Sequence, residues 1–210
     1  MRKIKHLTPK YVIDRLRTLV YEKKNREMPW LTIEANNIAK TYLLPSDIGV
    51  ELGSGRSTVW LAKKVGQLTS IEHSKPWFEH VSKLLEEKKI GNVEYRLAEP
   101  NTKDQTNLPI YYNQLRDFQD ASLDFCLIDG LYRDECTRLL IDKLRPGGVM
   151  IIDNVNRYLP SESCSPDSIA VDQPPQTESW RLVYQEIGSW RKIWTSTGVT
   201  DTAFFFKPLS

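Results

Sequence analysis

Val50-Glu51-Leu52-Gly53-Ser54-Gly55-Arg56-Ser57-Thr58 is the stretch whose reading decides the fold. It continues an apolar run that starts at Ile48, and it leads into a segment of helical spacing from Ser57 to Val65. The following apolar run, from Leu68, closes on an acid, Glu72. Strand, glycine turn, helix, strand and acid, in that order, make a site for the adenosine half of a cofactor. Glycines let backbone approach the ligand, free N–H groups at the helix start face its polar tail, and the acid accepts ribose hydroxyls. A dinucleotide fingerprint would place a third glycine where this chain has Thr58.

Outward from that unit, strands and helices alternate. Thr8-Pro9 is an N-cap and first-turn proline, after which Val12, Leu16, Leu19 and Val20 recur at helical spacing. A second helix is expected over Leu31 to Tyr42, ending near Pro45, and the first strand over Ile48 to Leu52. Further strands are read at Leu68–Glu72, Asn92–Leu97 and Leu123–Ile128, with helices from Ser74, around Tyr111–Phe118 and around Cys136–Leu144. Pro146-Gly147-Gly148 breaks the last of these helices before a fifth strand, Val149 to Ile152. Residues 155–178 are rich in Ser, Pro, Asp and Gln and read as a long loop, placed to act as a lid. A short helix over Glu178–Ile187 and a terminal hairpin, Lys192–Thr197 with Thr202–Lys207, complete the chain. The expected fold class is α/β: a doubly wound, mostly parallel seven-stranded sheet with helices on both faces and a C-terminal antiparallel hairpin. Residues 1–44 are expected to form an N-terminal helical segment capping the substrate, and 45–210 the cofactor-binding domain.

Composition narrows the class. The 210 residues are 40% hydrophobic and 27% charged, ordinary for a globular domain with a substantial core. Net charge is +2, yet residues 1–26 hold nine Lys/Arg against Asp14 and Glu22, a local +7 that leaves the rest at −5. Such an arm suits an anionic partner or a solvated helix face. Three cysteines without C-x-x-C spacing argue against a disulfide framework and a cysteine-based zinc site. No 7–15-residue apolar stretch follows the basic start and no apolar run approaches a membrane span, so the expectation is a cytoplasmic protein without a membrane partner.

Glu72, Asp129 and Asp153 each end a predicted strand, so all three acids face the rim where ligands of such sheets sit. The residues read as a pocket for S-adenosylmethionine (SAM). Gly53 and Gly55 admit close backbone approach, while Ser57 and Thr58 open the helix toward the carboxylate tail. Glu51 attracts the ammonium, Glu72 accepts the ribose hydroxyls and His73 flanks the adenine, with Glu99 and Asp129 completing the cofactor rim. Asp129 and Asp153 are the candidate catalytic acids, and Tyr132, Arg133, Arg157 and Tyr158 the candidate acceptor contacts. The two arginines suit a substrate carboxylate or phosphate.

From Pro45 to Lys207 the chain resembles a class I, Rossmann-like SAM-dependent methyltransferase of small bacterial type. The resemblance rests on Glu51–Gly55, Ser70-Ile71-Glu72-His73, Leu144–Val149 and the closing hairpin. It implies methyl transfer to a small-molecule acceptor by a single domain that works alone or as a homo-oligomer; the expectation that the accepting atom is a hydroxyl oxygen rests only on Asp153-Asn154. Asp153-Asn154 with Asp129 also resembles the metal-binding set of catechol-type O-methyltransferases, which implies Mg²⁺ at Asp129, Asp153 and Asn154. The helix between the two motifs is slightly shorter than in those enzymes, and Gly130 replaces their small residue and second acid. Three alternatives stay open: an NAD-dependent oxidoreductase, a nucleic-acid methyltransferase using the basic arm, and a non-catalytic SAM-binding protein. The missing third glycine, the terminal hairpin and the absence of an Asn-Pro-Pro-Tyr-like motif weigh against the first two.

Overall fold

A computed structural model describes residues 8–99 and 108–209. Residues 1–7, with Arg2, Lys3 and Lys5 of the basic arm, therefore lie outside the described residues. Two helices, α1 (Pro9–Lys24) and α2 (Ile33–Tyr42), precede an alternating series: β1 (Ile48–Leu52), α3 (Arg56–Ala62), β2 (Gln67–Glu72), α4 (Lys75–Glu87) and β3 (Val93–Leu97). The second half holds α5 (Leu108–Arg116), β4 (Leu123–Ile128), α6 (Arg133–Lys143), β5 (Leu144–Asp153), α7 (Glu178–Ile187), β6 (Arg191–Ser196) and β7 (Asp201–Phe206).

The seven strands form one sheet in the order β3-β2-β1-β4-β5-β7-β6. The first five run parallel, and β7 returns antiparallel between β5 and β6. Chain order reverses beside β1, so the switch point falls between β1 and β4, at the end of the glycine stretch.

Alternation along the central strands sorts the core into two layers. Phe125 and Leu127 of β4 pack with Ala35, Ala39, Trp60 and Leu61 of α2 and α3. Cys126 and Ile128 of the same strand pack with Leu115, Leu140, Trp180 and Val183 of α5, α6 and α7. Trp60, at 7% exposure, belongs to this core rather than to a ligand platform.

Two segments differ from their sequence reading. β5 starts at Leu144 and runs through Pro146-Gly147-Gly148 instead of beginning at Val149. Gly147 adopts φ +77°, and Gly147 and Gly148 exchange backbone hydrogen bonds with Lys207, which extends the ladder past the proline. A register shift against β4 between Leu123 and Phe125 absorbs the irregularity.

Residues 155–178, read as an unstructured loop, are knitted into the fold. Val155–Arg157 form a turn of 3₁₀ helix. The Asn156 amide donates to the Pro166 carbonyl and the Ser168 hydroxyl at 3.2 and 3.0 Å, and the Ser165 hydroxyl donates to the Asp201 carboxylate at 2.6 Å. Backbone bonds from Ser161 to Ile169 and from Gln176 to Tyr158 close the segment on itself.

Gly49 sits opposite Phe125 in the β1–β4 register, and a Cβ there would lie 2.1 Å from the Phe125 ring. Gly49→Ala is therefore expected to destabilise the domain by about 1–3 kcal/mol. Urea unfolding checks this, with Phe125→Leu in the Gly49→Ala background restoring part of the loss. Equal stability of Gly49→Ala and wild type would contradict the packing described.

Candidate active site

The glycine turn is set by a backbone-to-backbone contact. Gly53 has φ +84°, and a Cβ on it would lie 2.9 Å from the Asp129 carbonyl oxygen. Gly53 N donates to the Ile71 carbonyl and Asp129 N to the Leu52 carbonyl, both at 2.9 Å, so the ends of β1, β2 and β4 are tied together. Gly130 completes the contact: its Cβ would lie 2.2 Å from the Tyr111 hydroxyl, which itself donates to the Ile71 carbonyl at 3.0 Å.

Behind the turn lies a fully buried carboxylate. Glu51 Oε2 accepts from the Thr58 hydroxyl at 2.6 Å and from the Ser70 hydroxyl at 2.7 Å. Ser70 is the register partner of Glu51 on β2. The Thr58 oxygen also accepts from Gly55 N at 2.9 Å, so the residue that replaces a third glycine links the turn to Glu51. Glu51 Oε1 has no hydrogen-bond partner among the described residues. Burial, only partly offset by the surrounding hydroxyls, pushes the Glu51 carboxyl up to about 7.

Glu72, also buried, is already occupied. Oε2 accepts from Ser54 N at 2.9 Å and from the Ser54 hydroxyl at 2.8 Å, and Oε1 accepts from His73 N at 2.9 Å and Ser74 N at 2.8 Å. The ribose acid of the sequence reading thus also fixes the shape of the glycine turn. His73 Nδ1 lies 3.1 Å from Glu72 Oε1. Ser57 stands one residue inside α3, and Glu99 is exposed just past β3.

At the other end of the rim, Arg133 dominates. Its guanidinium donates to the carbonyl oxygens of Gly130 (3.0 Å), Asp153 (2.6 Å) and Asp129 (2.9 Å). It also donates to the Asp129 carboxylate at 2.6 Å and to the Asn154 amide oxygen at 3.4 Å. Those contacts use all five of its N–H groups. Two expectations are corrected on this ground. Arg133 has no donor left for a substrate anion and instead clamps the ends of β4 and β5. The Asp129–Asp153–Asn154 set does not fit a divalent cation, because a guanidinium already takes the Asp129 carboxylate and the Asn154 oxygen. Asp153 turns its Oδ1 to the Thr202 hydroxyl at 2.7 Å, and no metal-holding group of three acids, histidines or cysteines occurs among the described residues.

Asp153 is buried, and that burial, reinforced by the negative charge of Asp129, pushes its carboxyl up to about 7. Tyr132 and Asn154 hold left-handed backbone conformations, φ +48° and +54°, where the chain leaves β4 and β5. Arg157 has a buried Nε without a hydrogen-bond partner, and Tyr158 lies between the Arg133 guanidinium (5.5 Å) and Trp180 (5.2 Å).

Sequence reasoning missed Ser54, Tyr95, Trp77, Trp30 and Thr202. The Ser54 oxygen lies 2.6 Å from the Tyr95 hydroxyl, and the Trp77 indole donates to the Ser54 carbonyl at 2.7 Å. Trp30 lies under the Arg56 guanidinium at 4.8 Å, and both line a cavity of about 300 Å³ beside Gly55. A serine between two glycines is a signal available in the sequence; the others depend on long-range packing.

Residues 50–155 match the family model described as a methyltransferase domain, half of the chain, and the chain belongs to that family. A methyltransferase-like protein from Silicibacter pomeroyi is 18% identical, with 87% of this chain and 90% of that one covered at a TM-score of 0.56. A Streptococcus mutans protein solved in complex with SAH is 11% identical, with 83% and 96% covered at 0.56. TYW2 from M. jannaschii, solved with AdoMet, is 14% identical, with 83% and 74% covered at 0.51. At these identities the likeness is one of fold, the class I Rossmann-like methyltransferase fold. Among curated proteins, none matches the chain by sequence.

The raised carboxyls make stability depend on pH. The ordinary values are 4.5 for Glu51 and 3.8 for Asp153, and both rise to about 7 on folding. Between those values the folded state binds more protons than the unfolded one, so their contribution is full below about pH 4 and lost as pH rises to 7. Relative to wild type, Glu51→Gln should gain on the order of 3 kcal/mol between pH 4 and 7, and Asp153→Asn a similar amount. Chemical denaturation at several pH values reads this; a difference independent of pH would contradict it.

Proposed function

We propose that this protein transfers the methyl group of SAM to a hydroxyl oxygen of a small-molecule acceptor bearing an anionic group. The observation that carries the reading is the unpartnered, buried Glu51 Oε1 beside a glycine turn in which Gly53 has no room for a Cβ. A buried carboxylate oxygen without a donor is costly, and an ammonium supplies the donor and the charge. SAM carries that ammonium together with a carboxylate, a ribose and a sulfonium, and the residues around the turn fit each end. Glu51 takes the ammonium, backbone N–H groups of Ser57 and Thr58 at the start of α3 take the carboxylate, and Glu72 takes a ribose hydroxyl in place of the Ser54 hydroxyl. His73 and Glu99 border the adenine.

SAM supplies an activated methyl on sulfur. The protein's part is to align the acceptor oxygen, exclude water and remove a proton. Asp153, with its carboxyl near 7, is the base we assign, and Asp129, paired with Arg133, positions the end of β4. Arg157, whose Nε lacks a partner, takes the acceptor's anionic group, and Tyr132 and Tyr158 form the adjoining wall. Residues 155–178 act as that wall, closing the pocket, and the N-terminal helices cap it.

Calorimetric titration with S-adenosylhomocysteine tests the cofactor site. Affinity should rise with pH to about 7 and level off, because an ammonium favours the ionised Glu51 and binding must otherwise expel its proton. Glu51→Gln should weaken binding by about tenfold or more and flatten the pH profile. Absence of binding, or an unchanged profile in Glu51→Gln, would sink the assignment.

A further inference from the structure

Helix α1 is inverted. Its polar side packs on the domain: Thr18 is buried, and the Asp14 carboxylate covers the β6–β7 turn so closely that a Cβ on Gly198 would lie 2.3 Å from it. Its apolar side points away. Val12, Ile13, Leu16, Leu19 and Val20, neighbours at helical spacing, are 43% to 57% exposed. An open groove of about 460 Å³ runs along Ile13, Leu16, Val20 and Tyr21, bordered by Arg17 and Lys24. Amphipathic helices of globular domains turn such a stripe to the core, whereas this one has no cover among the described residues.

We infer that α1 lies on an anionic lipid bilayer, with the stripe at the headgroup–acyl boundary. Charge complementarity selects this occupant. Residues 1–26 carry +7 while the rest of the chain carries −5, and α1 itself bears Lys10, Arg15, Arg17, Lys23 and Lys24 against Asp14 and Glu22. Asp14 is turned to the domain and paired with Lys10 at 2.7 Å, so it does not oppose the surface. A second copy of α1 would bring two cationic helices together, and a nucleic acid offers nothing to five aliphatic side chains. An anionic membrane takes both features at once. No helix among the described residues is long and apolar enough to cross a membrane, and a helix lying in the surface needs no such length. The expectation of no membrane partner rested on the absence of a span, which leaves this contact untouched. The inference is independent of the methyl-transfer reading.

The test is co-sedimentation of the full chain with vesicles of phosphatidylcholine alone and of phosphatidylcholine containing about one-third phosphatidylglycerol. Binding to the anionic vesicles only is expected, and it should weaken as salt is raised. Leu16→Glu with Val20→Glu should lower that binding by about tenfold or more. Because both residues are exposed, circular dichroism and melting temperature should stay unchanged. Three results would overturn the inference: no binding to anionic vesicles, binding that the double variant retains, or a wild-type dimer in solution that the double variant converts to monomer.

Discussion

The arrangement depends on one contact, the meeting of two glycines where β1 and β4 end. Neither Gly53 nor Gly130 has room for a Cβ: one would strike the Asp129 carbonyl, the other the Tyr111 hydroxyl. Packed without side chains, the two chain ends come within backbone distance and share hydrogen bonds with β2. Glu51, two residues before the turn, is thereby fixed in the sheet near Asp129, whose charge adds to the burial that raises its carboxyl. A larger residue at either position would separate the strands at the switch point, and the acidic rim would lose its shape before any ligand arrived.

Thr58 shows why the departure from a dinucleotide fingerprint is constructive. A third glycine there would serve close helix–strand packing. The threonine hydroxyl instead accepts from Gly55 N and donates to Glu51, so turn, helix and buried acid form one hydrogen-bonded unit. With Ser70 donating from the neighbouring strand, Glu51 Oε2 is satisfied and Oε1 is not. On the proposed reading, the asymmetry within one carboxylate is what gives the site a preference for a cationic group.

Much of this was legible in the chain because local and tertiary preferences agree. The bounds of β1, β4 and α7 follow from short apolar runs or helical spacing between clear breakers. The acid at each strand end placed Glu72, Asp129 and Asp153 on one rim because parallel strands end on the same side. Other features were hidden. Proline and two glycines read as a break before β5, while pairing with Lys207 carries the strand through them. The stripe of α1 has the spacing of a core-facing helix, and periodicity cannot say which side of a helix meets the domain. Residues 155–178 look unstructured because their order comes from side-chain bonds of Asn156 and Ser165, which leave no pattern in composition. Arg133 reads as an acceptor contact because sequence cannot show that five carbonyl and carboxylate oxygens surround it.

Arg133 also settles how a crowded acidic rim persists. Glu51, Glu72, Asp129 and Asp153 converge where the strands end, and like charges this close cannot all be ionised cheaply. The fold resolves the conflict differently at each acid. Glu72 accepts from four donors of the turns it shapes. Asp129 takes the guanidinium, while Glu51 and Asp153, buried, keep their protons into the neutral range. One internal cation thus leaves two groups whose carboxyls sit near neutral pH, poised between their charged and uncharged forms. On the proposed reading Glu51 ionises against the ammonium, and Asp153 is the carboxylate that accepts the proton of the acceptor hydroxyl. A second fixed cation, such as a metal at Asp129 and Asp153, would hold both aspartates ionised and lower the basicity that makes Asp153 useful near neutral pH. The guanidinium satisfies one aspartate and leaves the other basic, a division of roles set by Arg133 reaching Asp129 with its side chain and Asp153 only at the backbone carbonyl.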